Sequence, residues 1–214
     1  YMDEITKADI IAMHHERRKE GAAAASANRL VILMRYVFNL AIKWEIAGVT
    51  KNPASDVKQF DDVNKRERYL STGEAQRLSQ AVDHSDNPML KYIIAMLILT
   101  GARKREVLDA KWEHIDLDKQ RWYIPITKTG KPRYVPLSDG VQALLHSIPR
   151  TTSCHIFANP KTGLPYVSIF YSWDTARKQA GLPEVRIHDL RHSFASFMVN
   201  NGRSLYEVQH LLGH

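Results

Sequence analysis

The sequence of 214 residues predicts a mainly α-helical protein with one small antiparallel β-hairpin or sheet, in which an all-α unit precedes a larger α+β unit. Apolar residues recur at helical spacing over most of the chain. One pair of segments, around residues 121–137, is rich in β-branched and aromatic residues on both sides of a Lys/Gly turn. A charged stretch without periodicity, residues 55–68, separates the two apolar parts.

The first unit, residues 1–60, shows two helical patterns. Thr6 can cap the first, "TKADIIAMHHERRKE". The second, "SANRLVILMRYVFNLAIKWEIAG", is long and amphipathic; Ser26 can cap its start and Gly48 can end it. The preceding Ala run, "GAAAASA", is either a connection or a helix start. We place the interdomain linker at residues 61–68.

The second unit, residues 69–214, begins with a helix that Ser71 and Glu74 start as a capping box. An apolar helix follows and ends at Gly101, and "RKREVLDA" predicts a short helix after it. The segments "RWYIPIT" and "PRYVPL" predict the hairpin, with its prolines at edge positions. Further helices are predicted at roughly 138–147, 168–180, 188–200 and 204–212.

Composition narrows the classes of function. The net charge of +7 favours a polyanionic partner, and most of the excess lies after residue 65, where twenty Lys/Arg face fourteen Asp/Glu. Cys154 is the sole cysteine, which excludes a disulfide framework and a thiolate zinc cluster. The longest apolar run, residues 92–99, is too short to span a bilayer. A cytoplasmic setting without membrane contact is therefore expected.

The stretch "HDLRHSFAS" combines histidine and arginine on one helix. His188 and Arg191 are three residues apart and share a face. His188 and His192 have the spacing of a helical zinc pair, but Asp follows the first histidine where a zinc protease has Glu, and Arg191 would place a positive charge beside the metal. Two interpretations stay open, a phosphate-binding cluster and a surface helix with local partners. We predict no metal and no cofactor.

Three other segments offer cations or histidine. Arg103 follows a glycine turn at the head of a short helix, with Glu106 one turn on, which suits either an anion site or a surface ion pair. Lys128 lies in the predicted hairpin turn. A long cationic side chain there can reach beyond the sheet, but lysines are also common in turns that have no binding role. His214 follows a glycine at the end of "LLGH".

Together these segments resemble the tyrosine recombinase (phage integrase) family. "LILTGARKRE", "TKTG", "HDLRHSFAS" and "LLGH" occur in the family's order and rough spacing. "NRLVILMRYVFNLAIKWEIAGVTKNP" is similar to the pattern of the family's helical core-binding domain, so the resemblance covers nearly the whole chain. Chance is a poor explanation for four motifs in the right order.

The resemblance implies a site-specific DNA recombinase that cleaves and rejoins strands through a 3′-phosphotyrosine intermediate. Arg103 and Arg191 would bind the non-bridging phosphate oxygens. Lys128 would protonate the leaving 5′-oxygen, His188 would transfer protons near neutral pH, and His214 would hydrogen-bond the phosphate. We expect these five side chains to converge on one basic pocket.

Two neighbours of these residues have other expected roles. Glu106 would orient Arg103 rather than touch anionic DNA. His192 would either pack against its neighbours or support the site residues without contacting the phosphate. The expected partner is double-stranded DNA, on which the family resemblance implies self-association as a tetrameric synapse.

The family's nucleophilic tyrosine lies shortly after the final histidine, and the sequence stops at His214. Tyr206 precedes that histidine and is not given the role. The first domain also begins midway through the family pattern. We therefore expect the printed chain to bind DNA without cleaving it by itself.

Three alternatives compete with a recombinase. The first is a non-catalytic DNA-binding protein that retains the fold. The second is a type IB topoisomerase, which the helical first unit and the "LLGH" segment disfavour. The third is a metal-dependent nuclease, which needs an acidic cluster that the sequence lacks.

Overall fold

The structure, a computed structural model, describes three ranges of the chain: residues 1–62, 68–126 and 130–213. By its internal contacts the chain divides into two compact units, residues 1–66 and 67–214. Their boundary falls within the linker placed at 61–68. Within the described ranges, secondary structure is mostly helical with a small antiparallel sheet, so the predicted fold class is confirmed.

Unit 1 contains helices α1 (Lys7–Lys19) and α2 (Ala24–Lys43). Thr6 caps α1 as predicted, because its hydroxyl oxygen accepts from the Asp9 N–H at 3.3 Å while the Asp9 carboxylate accepts from the Thr6 N–H at 2.8 Å. The predicted cap of α2 at Ser26 is wrong. The cap position is Ala23, three residues earlier in the Ala run, because alanine is the strongest helix former.

The end of α2 also differs from the sequence prediction. The helix stops at Lys43 instead of continuing to Gly48. Glu45 takes a left-handed φ of 54°, and the Ile46 N–H donates to the Ala41 carbonyl at 3.0 Å, which is a Schellman ending with Glu in the usual glycine place. The early turn brings Val49 into the core of unit 1, whose buried members are Ile10, Val31, Phe38, Ala41, Val49, Ala54 and Val57.

Unit 2 is built around one apolar helix, α4. Ser71 and Glu74 form the predicted capping box at the start of α3. Gly101 ends α4 in the left-handed conformation, as predicted. The helices of this unit are α3 (Thr72–Asp83), α4 (Leu90–Thr100), α5 (Lys104–Leu108), α6 (Asp139–Ser147), α7 (Phe170–Gln179), α8 (Ile187–Asn200) and α9 (Leu205–Leu212). Helices α3, α6 and α8 pack on α4, which is buried along most of its length. In the described part of the chain, no helix is long and apolar enough to cross a membrane.

The sheet has the order β1-β2-β3, with β1 (Ile115–Asp116), β2 (Arg121–Ile124) and β3 (Arg133–Pro136) all antiparallel to their neighbours. The predicted hairpin is confirmed, with Ile124 paired to Arg133, while the short strand β1 was not predicted. Residues 127–129 of its turn, including Lys128, lie outside the described residues. Side chains alternate along β3, so Arg133 shares the inner face with the buried Val135.

Candidate active site

Helix α8 carries the "HDLRHSFAS" stretch, and the aspartate of this stretch has a structural role in the first turn of the helix. The Asp189 carboxylate accepts from the Arg186 N–H at 2.8 Å and so caps the helix. The side chain is buried and acts on the helix start. Starting the helix here turns Arg191 toward the centre of unit 2 and leaves His188 and His192 exposed at the surface.

Arg191 ties two distant motifs together. Arg191 is only 6% exposed to solvent. One guanidinium nitrogen, Nη1, donates to the Gly101 carbonyl and the other, Nη2, to the Leu212 carbonyl, both at 2.7 Å. A side chain at Gly101 would not fit beside α8 and α9, since its Cβ would clash with the Phe194 ring and lie 2.8 Å from Leu212. The segments "LTGA", "HDLRH" and "LLG" therefore meet at Arg191.

A carboxylate stands beside this meeting point. Glu106, with a side chain 5% exposed, accepts from the Arg103 N–H at 2.8 Å and from Arg103 Nη1 at 2.9 Å. Its second oxygen also accepts from Arg133 Nη2 at 2.7 Å. Glu106 thus orients Arg103, as predicted. It also occupies the free N–H at the start of α5 that the sequence suggested for an external anion.

The electrostatics of the cluster are unbalanced. In the described residues, Glu106 is the carboxylate paired with Arg103 and Arg133, and Arg191 has only carbonyl partners. Burial and the charges of Arg103 and Arg133 lower the pKa of Arg191 to about 10, against a smaller opposing effect of Glu106. Arg191 stays charged at neutral pH, and a bound anion would stabilise its charged form.

The pKa of the Glu106 carboxyl is also lowered, but for an acid this shift favours the charged form. Burial raises its pKa, but the hydrogen bond from the Arg103 N–H and the nearby Arg133 and Arg103 charges together outweigh burial. The pKa of Glu106 therefore lies below its ordinary value, and the group is ionised at neutral pH.

His188 lies at the outer edge of the same cluster. Partial desolvation lowers its pKa below 6.5, and the charges of His192, Arg191 and Arg103 act in the same direction, while Asp189 opposes them. The His188 and His192 rings meet edge to face with centroids 4.9 Å apart. At neutral pH the His188 imidazole is therefore mostly neutral and able to accept a proton. Among the described residues, no three His, Cys, Asp or Glu side chains are grouped as metal ligands.

The predicted site residues have different outcomes. Arg103, His188 and Arg191 lie close enough for their charges to influence one another. Lys128 and His214 lie outside the described residues. The sequence reasoning missed Arg133. Strand alternation could have found it, because the pattern "RYVP" puts Arg133 on the same face as the apolar Val135.

This mainly helical fold is shared with solved integrase structures. A structure of a lambda integrase (75-356) dimer bound to a COC' core site has a TM-score of 0.81, is 24% identical, and is matched over 99% of this chain and 79% of that chain. The Tn1549 transposon integrase (aa 82-397) in complex with circular intermediate DNA has a TM-score of 0.80 at 17% identity, over 100% of this chain and 79% of that chain. At these identities the likeness concerns the fold.

Residues 68–214 match the sequence pattern of the phage integrase family, and the chain belongs to this family. The shufflon-specific DNA recombinase of Escherichia coli is 28% identical over 222 residues, covering 100% of this chain and 56% of that protein. The integrase of Escherichia phage P2 is 29% identical over 215 residues, covering 99% and 58%. The chain thus spans less than two thirds of the length of these relatives.

Proposed function

We propose that this chain is the DNA-binding and phosphate-activating part of a site-specific recombinase that works through a 3′-phosphotyrosine intermediate. The observation that carries the proposal is the cluster where three separate motifs meet, with Arg103, Arg133 and Arg191 against Glu106. A positive excess of this kind, partly buried and next to the surface, suits a phosphodiester.

The two predicted clamp arginines retain donors for such a ligand. A guanidinium has five N–H groups. In the described contacts Arg191 uses one from each Nη and Arg103 uses one, so both can still donate to non-bridging oxygens. Charge on those oxygens grows toward the transition state, where fixed donors stabilise it more than they stabilise the ground state.

The chemical step then involves two proton transfers, one from the attacking tyrosine hydroxyl and one to the departing 5′-oxygen. A tyrosine hydroxyl attacks phosphorus, its proton passes to a base such as the neutral His188, and the P–O5′ bond breaks. The departing 5′-oxygen takes a proton from Lys128. His214 hydrogen-bonds the phosphate. The roles of Lys128 and His214, and a tyrosine placed beyond His214, come from the family resemblance.

The proposed partner is double-stranded DNA. The net charge of +7 supports this, as do the relatives named recombinase and integrase. We assign residues 1–60 to the core-binding domain and 69–214 to the catalytic domain. A lambda integrase tetramer bound to a Holliday junction has a TM-score of 0.77 to this chain, and we propose that the protein likewise assembles on DNA in the bacterial cytoplasm.

The test begins with the 214-residue chain, which selects its preferred sites from random duplexes. It should bind them with steep salt dependence; a footprint of about six phosphates loses about 10³-fold in affinity between about 50 and 200 mM salt. The selected site is then nicked, labelled and offered to the chain extended past His214 through the natural reading frame. A denaturing gel should show a covalent protein–DNA adduct, and replacing the tyrosine by phenylalanine should remove it.

Two outcomes would contradict this reading. If the extended protein binds the selected DNA but forms no adduct, the protein is a non-catalytic binder that retains the fold. If the 214-residue chain itself forms an adduct, one of its own tyrosines is the nucleophile and the role given to a later tyrosine is wrong.

A further inference from the structure

Arg133 links parts of unit 2 that the sequence motifs treat as separate. It is the first residue of β3 and pairs with Ile124, so it lies directly after the turn that contains Lys128. Its Nη2 donates to Glu106 at 2.7 Å, and its Nη1 donates to the Leu211 carbonyl at 2.8 Å. One side chain thus joins the hairpin, the start of α5 and the last turn of α9.

The contact with the end of α9 is close. Gly213 ends α9 with φ +71°, and a Cβ there would lie 2.8 Å from Arg133 Cδ and 3.0 Å from Nη1. The final carbonyls of a helix have no partner within the helix. Here Arg133 takes the Leu211 carbonyl and Arg191 takes the Leu212 carbonyl, so two arginines hold the last turn before His214.

The partners of Arg133 favour a supporting role over direct contact with DNA, because its Nη2 is paired with the Glu106 carboxylate at 2.7 Å whereas the buried Arg191 has only carbonyl partners in the described structure. The Arg133 side chain is 11% exposed, compared with 25% for Arg103. Its Nε is buried without a hydrogen-bond partner, a cost of about 1–3 kcal/mol that an ordinary surface ion pair does not carry. This environment is more consistent with Arg133 holding Glu106 and the Leu211 carbonyl in position than with Arg133 binding a phosphate itself.

We propose that Arg133 is a positioning residue for strand cleavage. It fixes Arg103 through Glu106, and it ties the start of β3 to the last turn of α9 through the Leu211 carbonyl. The proposal rests on the proposed recombinase function for its catalytic consequence. A displacement of about 1 Å in such a group can cost about 100-fold in rate.

The test uses Arg133→Met, which keeps the length and apolar stem, and Arg133→Lys, which keeps the charge but has one nitrogen for two partners. Arg105→Met is the matched control, because Arg105 also pairs with a carboxylate, Asp109, and with two loop carbonyls, but is half exposed. The variants are made in the natural protein for adduct assays and in the 214-residue chain for binding and NMR.

In the adduct assay at saturating DNA, Arg133→Met should slow adduct formation about 10- to 100-fold. Arg133→Lys should recover part of the rate and Arg105→Met should keep it. The dissociation constant for DNA and the slope of its salt dependence should change little in all three. If instead Arg133→Met lowers that slope by about one, Arg133 contacts a phosphate directly and the positioning role is overturned.

Amide exchange gives a readout that does not need activity. The Gly213 N–H donates to His210 and the Gly181 N–H to Lys178, both at 3.0 Å and both from left-handed glycines at helix ends. Arg133→Met should speed exchange at Gly213 about tenfold or more and leave Gly181 within about twofold. Unchanged exchange at Gly213 would overturn the inference even if the protein proves inactive. A wild-type protein without adduct would instead count against the proposed function.

Discussion

Unit 1 and unit 2 each contain a buried polar cluster, and the two are built in opposite ways. In unit 1 the cluster surrounds Asn28, whose Oδ1 accepts from the Phe60 N–H at 2.9 Å and whose Nδ2 donates to the Phe60 carbonyl at 2.8 Å. His14 Nε2 lies 3.0 Å from the same Oδ1, and its ring stacks on Phe60 with centroids 4.0 Å apart. The groups satisfy one another.

The cluster of unit 2 is not balanced in this way. Glu106 is shared by Arg103 and Arg133, Arg191 contacts only carbonyls in the described structure, and the Arg133 Nε has no partner. A satisfied network of polar groups fixes the backbone, here the segment before the linker. An excess of buried positive charge is costly, which is the feature that supports the anion site proposed for unit 2. The difference separates a structural cluster from a candidate site.

The largest expected effect is on Arg191. In the natural protein, Arg191→Ala should slow adduct formation by about 10²–10³-fold, on the order of 3 to 4 kcal/mol, because a donor to the phosphate is lost where charge develops. DNA binding should stay largely intact, since one arginine is a small part of a footprint with many phosphates. Adduct gels and fluorescence anisotropy measure the two effects.

The control for this variant is Arg105→Ala, which removes an exposed arginine from the same region. It should leave the adduct rate within about threefold. If Arg191→Ala and Arg105→Ala weaken DNA binding and adduct formation in parallel, the cluster of unit 2 is a general DNA contact and its contrast with unit 1 loses its catalytic meaning.

The next effect concerns Glu106, the carboxylate of the charged cluster. Glu106→Gln turns an amide donor toward arginine donors and should cost about 3 kcal/mol of unfolding free energy at neutral pH. Because the pKa of Glu106 is lower in the folded state, its stabilisation is present above the unfolded pKa of about 4.3 and is lost as pH falls through the folded pKa. Urea unfolding at a series of pH values should show wild type and variant converging as the pH falls below about 4.3. A gap that stays constant with pH would rule out ionic pairing.

The sequence predicted the elements that depend on local chemistry. The cap at Thr6, the capping box at Ser71 and the glycine end of α4 follow from residue types within one turn. The end of α2 could not be predicted in this way, because Glu45 rather than a glycine holds the left-handed position after the helix, and the chain beyond it buries Val49 in the core of unit 1.

The candidate site shows the same division. Arg103 and Arg191 could be assigned from motifs, since their letters are specific in order and spacing. Arg133 has no motif, and its partners Glu106 and Leu211 lie 27 and 78 residues away in sequence. Contacts of that range come from the fold as a whole, and only the inward alternation of β3 hinted at a buried arginine.

A smaller effect is expected in unit 1. Asn28→Ala leaves the Phe60 backbone groups and His14 without their partner and should lower the stability of α1 and α2 by about 2 kcal/mol. Arg29→Ala, at an exposed position of the same helix, should cost less than about 0.5 kcal/mol. Hydrogen exchange by mass spectrometry separates peptides of α1 and α2 from those of unit 2, which should be unchanged. Equal protection in both variants would mean that the network around Asn28 does not stabilise unit 1.

The smallest effect compares two glycines of unit 2. Gly213 and Gly181 have nearly the same left-handed φ, +71° and +70°, so alanine should cost each about 1 kcal/mol of backbone strain. A Cβ at Gly181 meets nothing within 4 Å, whereas at Gly213 it lies 2.8 Å from Arg133 Cδ and must displace that side chain. Gly213→Ala should therefore cost about 1 kcal/mol more than Gly181→Ala in urea unfolding. In an Arg133→Met background the flexible methionine can yield, so the extra cost should shrink. If the two alanine variants are equally stable in both backgrounds, Arg133 does not hold the end of α9.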